Sequence, residues 1–142
     1  RKLSGRPKAL NQTALFALPE SEQHHLGICM VDELFRLNGW SSELLIPASI
    51  DDLERTVKAT EFGLIGFSLA NDSGLTWLKE AIRMIRRVDP RRKSKIVVGG
   101  SLFISQPRLV YDVGADQLAR DANHALDIIA QMEETDQTRL NA

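Results

Sequence analysis

Short apolar runs alternate along this chain with longer segments in which apolar residues recur at helical spacing. The clearest runs, at residues 13–18 and 62–69, are apolar almost throughout, which is typical of strands buried on both faces of a parallel sheet. Further strands are predicted at residues 40–46, 95–98 and 115–118. The pattern therefore predicts five short strands separated by helical segments.

The segment after the first strand repeats apolar residues every three or four positions, which predicts an amphipathic helix. The residues expected to face the core are Leu26, Met30, Leu34 and Leu37. The residues expected on the opposite, polar side are Asp32, Glu33 and Arg36. Asn38-Gly39 would end this helix, because glycine adopts a left-handed C-cap without strain.

Further helices are predicted along the rest of the chain. One begins near residue 50, where Ser49 and Asp52 stand at the spacing of a capping box. The others are expected at residues 75–85, 107–111 and 125–132, and the polar tail would fray after the last of them.

Strands that alternate with helices predict a parallel sheet covered on both faces. Right-handed crossovers favour a flavodoxin-like (Rossmann-like) α/β fold, a doubly wound five-stranded parallel sheet in the order 2-1-3-4-5. The domain would span residues 13–135, after a linker or arm at 1–12 and before a C-terminal tail at 136–142.

In such sheets, ligands bind beyond the carboxyl ends of the strands, near the switch point between strands one and three. The loops at that edge carry residues suited to a flat, metal-containing ligand. His24 offers an imidazole, a common metal ligand, and Glu22 is placed to orient the second ring nitrogen directly or through water. Ser68 follows the third strand, and Gly99-Gly100 after the fourth would let a bulky ligand approach the backbone closely.

Composition narrows the class of protein. A chain of 142 residues with 43% apolar residues can bury one core without disulfides, and a net charge of -1 argues against a domain that mainly binds polyanions. Cys29 is the single cysteine, so a cysteine zinc site is excluded and a reducing, cytoplasmic compartment is expected. No apolar run approaches the length of a membrane helix, no signal peptide opens the sequence, and its start at Arg1 suggests a fragment with more chain upstream.

The loop after the first strand carries a recognisable motif. Glu22-x-His24-x-x-Gly27 resembles the D/E-x-H-x-x-G motif of B12-binding domains. The resemblance implies that His24 replaces the lower base of cobalamin as the axial ligand of cobalt, and that Glu22 orients and tunes it. Glutamate stands here where the methyltransferase and mutase branches most often have aspartate, which weakens an enzymatic interpretation.

The other loops at the same edge extend the resemblance. Ser68 and Gly99-Gly100 are similar, in order and spacing, to the family's serine and glycine pair, which house the displaced dimethylbenzimidazole tail. Ser101 would line the same channel. Ala70 departs from the family's S-x-L pattern, so an altered tail pocket or a different ligand is an open alternative. Residues 114–116 (GAD) resemble the family's G-A-D before the last strand, and the similarity runs from residue 13 to about 133.

A narrower likeness lies in residues 22–27 (EQHHLG), 30–32 (MVD) and 38–40 (NGW). These resemble the AerR/PpaA-type anti-repressors of bacterial photosynthesis genes and their heme-sensing variant, SCHIC. Members of that subgroup are regulators, not enzymes, and act on a partner repressor in response to light, oxygen or redox state. The resemblance therefore implies a cobalamin-binding sensor domain with a protein partner, at most indirect contact with DNA, and no membrane association.

Three alternatives remain open from the sequence. The first is a heme-binding SCHIC-type sensor that uses His24 or His25. The second is a corrinoid subunit of a methyltransferase or mutase, in which the cofactor does the chemistry. The third is a cofactor-free protein-interaction domain.

Other reactive side chains have plainer interpretations. His25 is expected to be exposed or to form a pocket wall, and His124 to be an ordinary surface residue. Cys29 lies among apolar neighbours, which favours a buried structural thiol. Ser68 lacks the setting of a hydrolase nucleophile. The basic residues at 83–95 are most simply a solvated surface, with contact to DNA or an acidic partner as the alternative.

Overall fold

The computed structural model describes residues 12–141, without three side chains of the last helix. The predicted arm therefore lies almost entirely outside the described residues. The strands are β1 (Thr13–Ala17), β2 (Ser41–Leu45), β3 (Leu64–Ser68), β4 (Lys95–Gly99) and β5 (Gln117–Leu118). The helices are α1 (Leu26–Leu37), α2 (Ile50–Ala59), α3 (Leu75–Val88), α4 (Ser101–Ser105), α5 (Leu109–Val113) and α6 (Ala122–Asn141).

The strands form one sheet in the order β2-β1-β3-β4-β5, and every neighbouring pair is parallel. The predicted fold class and strand order are confirmed. Because all strands run the same way, the loops after β1, β3, β4 and β5 meet at one edge of the sheet. That edge is where the sequence places its candidate ligand residues.

Each face of the sheet has its own core, as a parallel sheet requires. One core packs α2 and α3 against residues such as Ile65 and Val98. The other packs α1 and α6 against residues such as Phe16 and Val97. None of the helices in the described part of the chain is long and apolar enough to cross a membrane.

The sequence-based prediction of which face of α1 is buried is wrong. Leu26, Met30 and Leu37 are 74%, 57% and 71% exposed, whereas the buried residues of this helix are Ile28, Asp32 and Phe35. Two apolar stripes run along α1, and periodicity alone does not choose between them. The sheet selects the stripe with Phe35, because its ring packs edge-on against Phe16 (centroids 5.3 Å apart) and Trp40 (5.1 Å).

This choice buries the carboxylate of Asp32, which had been expected to face solvent. Asp32 is 6% exposed, and its Oδ2 lies 3.4 Å from the Arg36 guanidinium one turn along the helix. Its Oδ1 has no hydrogen-bond partner among the described residues. The aromatic packing therefore outweighs the cost of one poorly satisfied carboxylate oxygen.

Other elements agree with the sequence or differ by identifiable causes. The capping box is confirmed, because the Ser49 hydroxyl accepts from the N–H of Asp52 and the Asp52 carboxylate accepts from the N–H of Ser49. The short helix α4 lies in a segment for which the sequence predicts no helix. It begins directly after Gly100, which takes a positive φ that ends β4 abruptly. Helix α6 continues to Asn141, past the predicted end of the domain at residue 135.

Candidate ligand-binding site

Glu22 ties together the two loops nearest the switch point. It is only 4% exposed, and its Oε1 accepts a 2.8 Å hydrogen bond from the N–H of Ala70 in the loop after β3. Its Oε2 accepts the N–H of His24 at 3.0 Å and lies 3.0 Å from Nδ1 of the same residue. One carboxylate therefore fixes both the loop after β1 and the ring of His24.

The charge of Glu22 follows from these contacts. Burial acts to raise its pKa, but the N–H groups of Ala70 and His24 and the His24 side chain together outweigh burial, so the pKa is lowered. The group is therefore a carboxylate at neutral pH and can only accept hydrogen bonds. We accordingly assign the proton of the His24 ring to Nδ1, which leaves the lone pair of Nε2 available as a donor atom.

His24 presents that nitrogen to the outside of the protein. Its side chain is 74% exposed, and Nε2 has no hydrogen-bond partner among the described residues. His25 is also exposed, as expected, but its Nε2 lies 2.9 Å from the carbonyl oxygen of Glu22. Because Nε2 must donate to the carbonyl, only Nδ1 of His25 keeps a lone pair, and no carboxylate among the described residues orients that ring. His24 is therefore the better ligand candidate of the two.

A cleft of about 300 Å³ opens beside this loop, between α1 and α6 on one face of the sheet. It begins at Gly27, three residues after His24. Its floor includes small residues on two adjacent strands, β3 and β4, and in the loop after β5; these are Gly66, Ser68, Gly99 and Ala119. Ser68 and Gly99 are register partners, so two small residues lie side by side at the carboxyl edge. The cleft exists because these residues are too small to fill the space under the helices.

The glycines of the floor are also required by packing. A Cβ atom on Gly66 would lie 2.7 Å from the Phe16 ring, and one on Gly99 would lie 2.9 Å from the Ala119 carbonyl oxygen. Gly100 is more constrained still, because its φ is +97° and a Cβ there would clash with the Leu69 carbonyl oxygen. The glycine pair thus lets the loops after β3 and β4 touch through their backbones, and the open floor follows from that contact.

The structure brings together most of the predicted site residues. Gly27, Ser68, Gly99 and Gly100 line the cleft, and Glu22 and His24 sit on the loop that leads into it. Ser101 does not line the cleft. Its hydroxyl donates a 2.9 Å hydrogen bond to the Ala70 carbonyl oxygen and so supports the loop after β3.

Sequence reasoning missed several residues of the cleft. Two of them are large apolar side chains, Met30 at 57% and Ile104 at 51% exposure. Met30 belongs to the stripe of α1 for which the sequence predicts burial, and the structure exposes that stripe. Two others are charged, Arg120 and Asp121, in the loop after β5. The only signal for these two was their place in a loop at the ligand edge.

The remaining candidates have structural roles. Cys29 is partly buried against the second core. Nδ1 of His124 accepts the N–H of Arg120, so this residue helps to form the turn before α6 and is not merely a surface side chain. Asp116, the last residue of the G-A-D segment, accepts the N–H of Ile96 and pairs with Arg86 at 3.1 Å.

The basic residues between positions 83 and 95 are partly tied down by ion pairs. Arg87 lies 3.8 Å from Glu54 across the α3–α2 contact, and Lys93 lies 3.3 Å from Glu61. These pairs favour the interpretation of a solvated surface.

Comparison with solved structures shows that several other proteins have the same fold as this chain. A cobalamin-binding protein from Desulfitobacterium hafniense matches with a TM-score of 0.74 and 17% identity, over 84% of this chain and 58% of that one. The monomethylamine corrinoid protein of Methanosarcina barkeri matches with a TM-score of 0.71 and 16% identity, over 87% and 61%. A chemotaxis protein from Vibrio cholerae matches less well, with a TM-score of 0.57 and 13% identity, over 84% and 97%.

The chain thus spans about three fifths of the length of the first two structures. At these identities the matches show the fold alone. The comparison with curated protein sequences gives no match. The family model for the B12 binding domain matches residues 13–130, which is most of the chain. Together with the sheet order, the histidine loop and the open-floored cleft, this match shows that the chain belongs to the B12-binding domain family.

Proposed function

We propose that this chain binds cobalamin with the nucleotide base displaced from cobalt, and that Nε2 of His24 takes the base's place as the lower ligand. The observation that carries the proposal is the buried Glu22 carboxylate, which holds Nδ1 of His24 at 3.0 Å. A carboxylate on the far nitrogen orients a ligating imidazole and increases its basicity. The free nitrogen of His24 is exposed, as an axial ligand for a bulky macrocycle must be.

The cleft is the proposed site of the displaced nucleotide tail. Among the described residues that line it, all but Ser68, Arg120 and Asp121 are apolar or glycine, which suits an aromatic dimethylbenzimidazole. Its volume of about 300 Å³ lies at the lower end of small-molecule pockets, which fits a tail group better than a whole cofactor. Gly27, Ser68, Gly99 and Gly100 would contact this group, and Ser101 would act only through the loop that it supports.

The same cleft favours cobalamin over heme. Heme is a flat macrocycle without a tail, so it could use His24 but would leave the cleft empty. An apolar cleft with nothing to fill it contributes no binding energy to that complex. Heme binding, as in SCHIC, is therefore the second candidate.

For the biological role, we propose a sensor domain of a bacterial, cytoplasmic transcriptional regulator of the AerR/PpaA type. Bound cobalamin would supply a cobalt centre whose upper ligand responds to light or redox state. The chain's own residues would bind and orient that centre, without catalysis, and relay its state to a repressor partner. The support is the resemblance of the Glu22–His24 loop and of residues 30–32 and 38–40 to that subgroup.

Cobalt ligation is tested by mixing purified chain with hydroxocobalamin and recording the visible spectrum. The spectrum should shift on binding, and His24→Ala should abolish the shift. His25→Ala is the matched control, because it removes a neighbouring exposed imidazole whose Nε2 is already bonded, and it should keep the shift. No shift with wild-type chain, or an equal shift with His24→Ala, would contradict the proposal. A Soret shift with hemin that requires His24, without any cobalamin response, would favour the heme alternative.

The tail site is tested separately with Ser68→Leu, which places a large apolar side chain on the cleft floor. Cobalamin affinity should fall at least about tenfold, whereas cobinamide, which lacks the nucleotide tail, should bind as before. Equal losses for both compounds would show that the cleft does not hold the tail.

The sensor role is tested on the loaded chain by hydrogen exchange before and after illumination. Exchange at the amides of α1, which follows the histidine loop, should change on illumination and return in the dark. Illumination that alters the cofactor spectrum but leaves exchange in the whole chain unchanged would favour a passive corrinoid carrier.

A further inference from the structure

The exposed end of the cleft, formed by Arg120 and Asp121 in the loop after β5, is called its mouth here. It carries one cation, Arg120, whose side chain has no structural role among the described residues. Among the described residues lining the cleft, Arg120 and Asp121 are the charged ones. Arg120 is exposed, and its backbone N–H donates to Nδ1 of His124. Its guanidinium makes no ion pair or hydrogen bond with any residue that the structure describes.

The side chain of Asp121, by contrast, is hydrogen-bonded to the start of the adjoining helix, α6. Its Oδ1 accepts the N–H of His124 at 2.8 Å, in the first turn of α6. This contact places the carboxylate against the positive end of the helix dipole, which carries roughly half an elementary charge. The charge of Asp121 (−1), the helix N-terminus (about +0.5) and Arg120 (+1) together give the mouth a net charge of about +0.5. The mouth therefore favours an anion.

From this arrangement we infer that Arg120 is a specificity residue that binds the phosphodiester of the cobalamin nucleotide tail. The inference rests on the proposed tail site. In cobalamin, the phosphodiester links the corrin side chain to the ribose and base. A base held on the apolar floor therefore carries its phosphate toward the mouth, where Arg120 lies. Guanidinium groups bind phosphate oxygens through two parallel hydrogen bonds.

The position of Arg120 on the sheet supports this role. His24 follows β1 and Arg120 follows β5, and these strands are separated by β3 and β4. At about 4.8 Å per strand, the two loops are roughly 14 Å apart along the edge. The cofactor would therefore be held at two points, through cobalt at one side of the edge and through the tail at the other.

The test compares three ligands that differ in their tails, measured by equilibrium titration. Cobalamin has phosphate, ribose and base, cobinamide phosphate has only the phosphate, and cobinamide has none of them. Arg120→Gln should weaken cobalamin and cobinamide phosphate about tenfold and leave cobinamide unchanged. Arg120→Lys should recover part of the loss, because it restores the charge but not the two-pronged geometry. Added NaCl should weaken cobalamin binding to wild-type chain more than to Arg120→Gln.

Arg83→Gln is the matched control, because Arg83 is an exposed arginine on α3, at the opposite face of the sheet. It should change none of the three affinities. Unchanged cobalamin affinity in Arg120→Gln, or an equal loss for cobinamide, would overturn the role of Arg120 while leaving ligation by His24 intact. Failure of wild-type chain to bind cobalamin would overturn the proposed function itself, and the inference with it.

Discussion

Replacing Glu22 should destabilise the fold far more than replacing the histidine that it orients. The Glu22 carboxylate accepts two backbone N–H bonds, from Ala70 at 2.8 Å and from His24 at 3.0 Å, and it is only 4% exposed. Hydrogen bonds to charged groups contribute about 1.5–3 kcal/mol each. Allowing for water that enters the space left by the side chain, Glu22→Ala should lower the free energy of unfolding by about 2–4 kcal/mol.

The two comparison variants separate the causes of this loss. His24→Ala removes only the contact to a ring that is 74% exposed, and such exposed pairs contribute about 0–1 kcal/mol. Glu22→Gln keeps the side-chain volume but replaces one carboxylate oxygen with an NH₂ group, which is a donor. The glutamine side chain therefore cannot accept the N–H groups of both loops, one on each terminal atom. The loss in free energy of unfolding for Glu22→Gln should lie between the losses for His24→Ala and Glu22→Ala.

Urea unfolding of the three variants and wild-type chain, followed by circular dichroism, measures these differences directly. The denaturant dependence, or m-value, should stay constant, because the surface exposed on unfolding does not change. A Glu22→Ala chain within about 0.5 kcal/mol of His24→Ala would refute the view that this carboxylate fastens the two loops together.

Two further predictions concern the backbone and the helix cap. Gly100→Ala should lower the free energy of unfolding by at least about 1–3 kcal/mol in urea unfolding, because Gly100 has φ +97° and ψ 165° and the new Cβ would clash with the Leu69 carbonyl oxygen. A loss below about 1 kcal/mol would show that the loop relaxes easily. Ser49→Ala should cost about 1 kcal/mol through loss of the α2 cap. The Ser49 hydrogen bonds lower the pKa of Asp52 in the folded chain, so their contribution is present above its ordinary value of about 3.9 and is lost as pH falls through the lowered pKa. The stability gap between wild-type chain and Ser49→Ala should therefore narrow below about pH 4, and a gap that widens there would contradict the assignment.

The sequence by itself determined the fold class, the strand order and the loops that form the ligand edge. These features depend on local periodicity and on the handedness of crossovers, which act on every chain in the same way. It also determined the capping box at Ser49, because both partners lie within one helical turn. The pairing of Glu22 with His24 was predicted for the same reason, since the two residues are close in sequence.

The tertiary structure decided which stripe of α1 is buried. It also decided that Glu22 joins the loop after β1 to the loop after β3. Two stripes satisfy the helical period, and only the rings of Phe16 and Trp40 favour the one with Phe35. The hydrogen bond from Ala70 to Glu22 joins residues 48 positions apart, a distance at which sequence spacing carries no information. The cleft likewise depends on small residues from separate strands that become neighbours only when the sheet forms. Local interactions fix the elements of this chain, and long-range packing fixes its site.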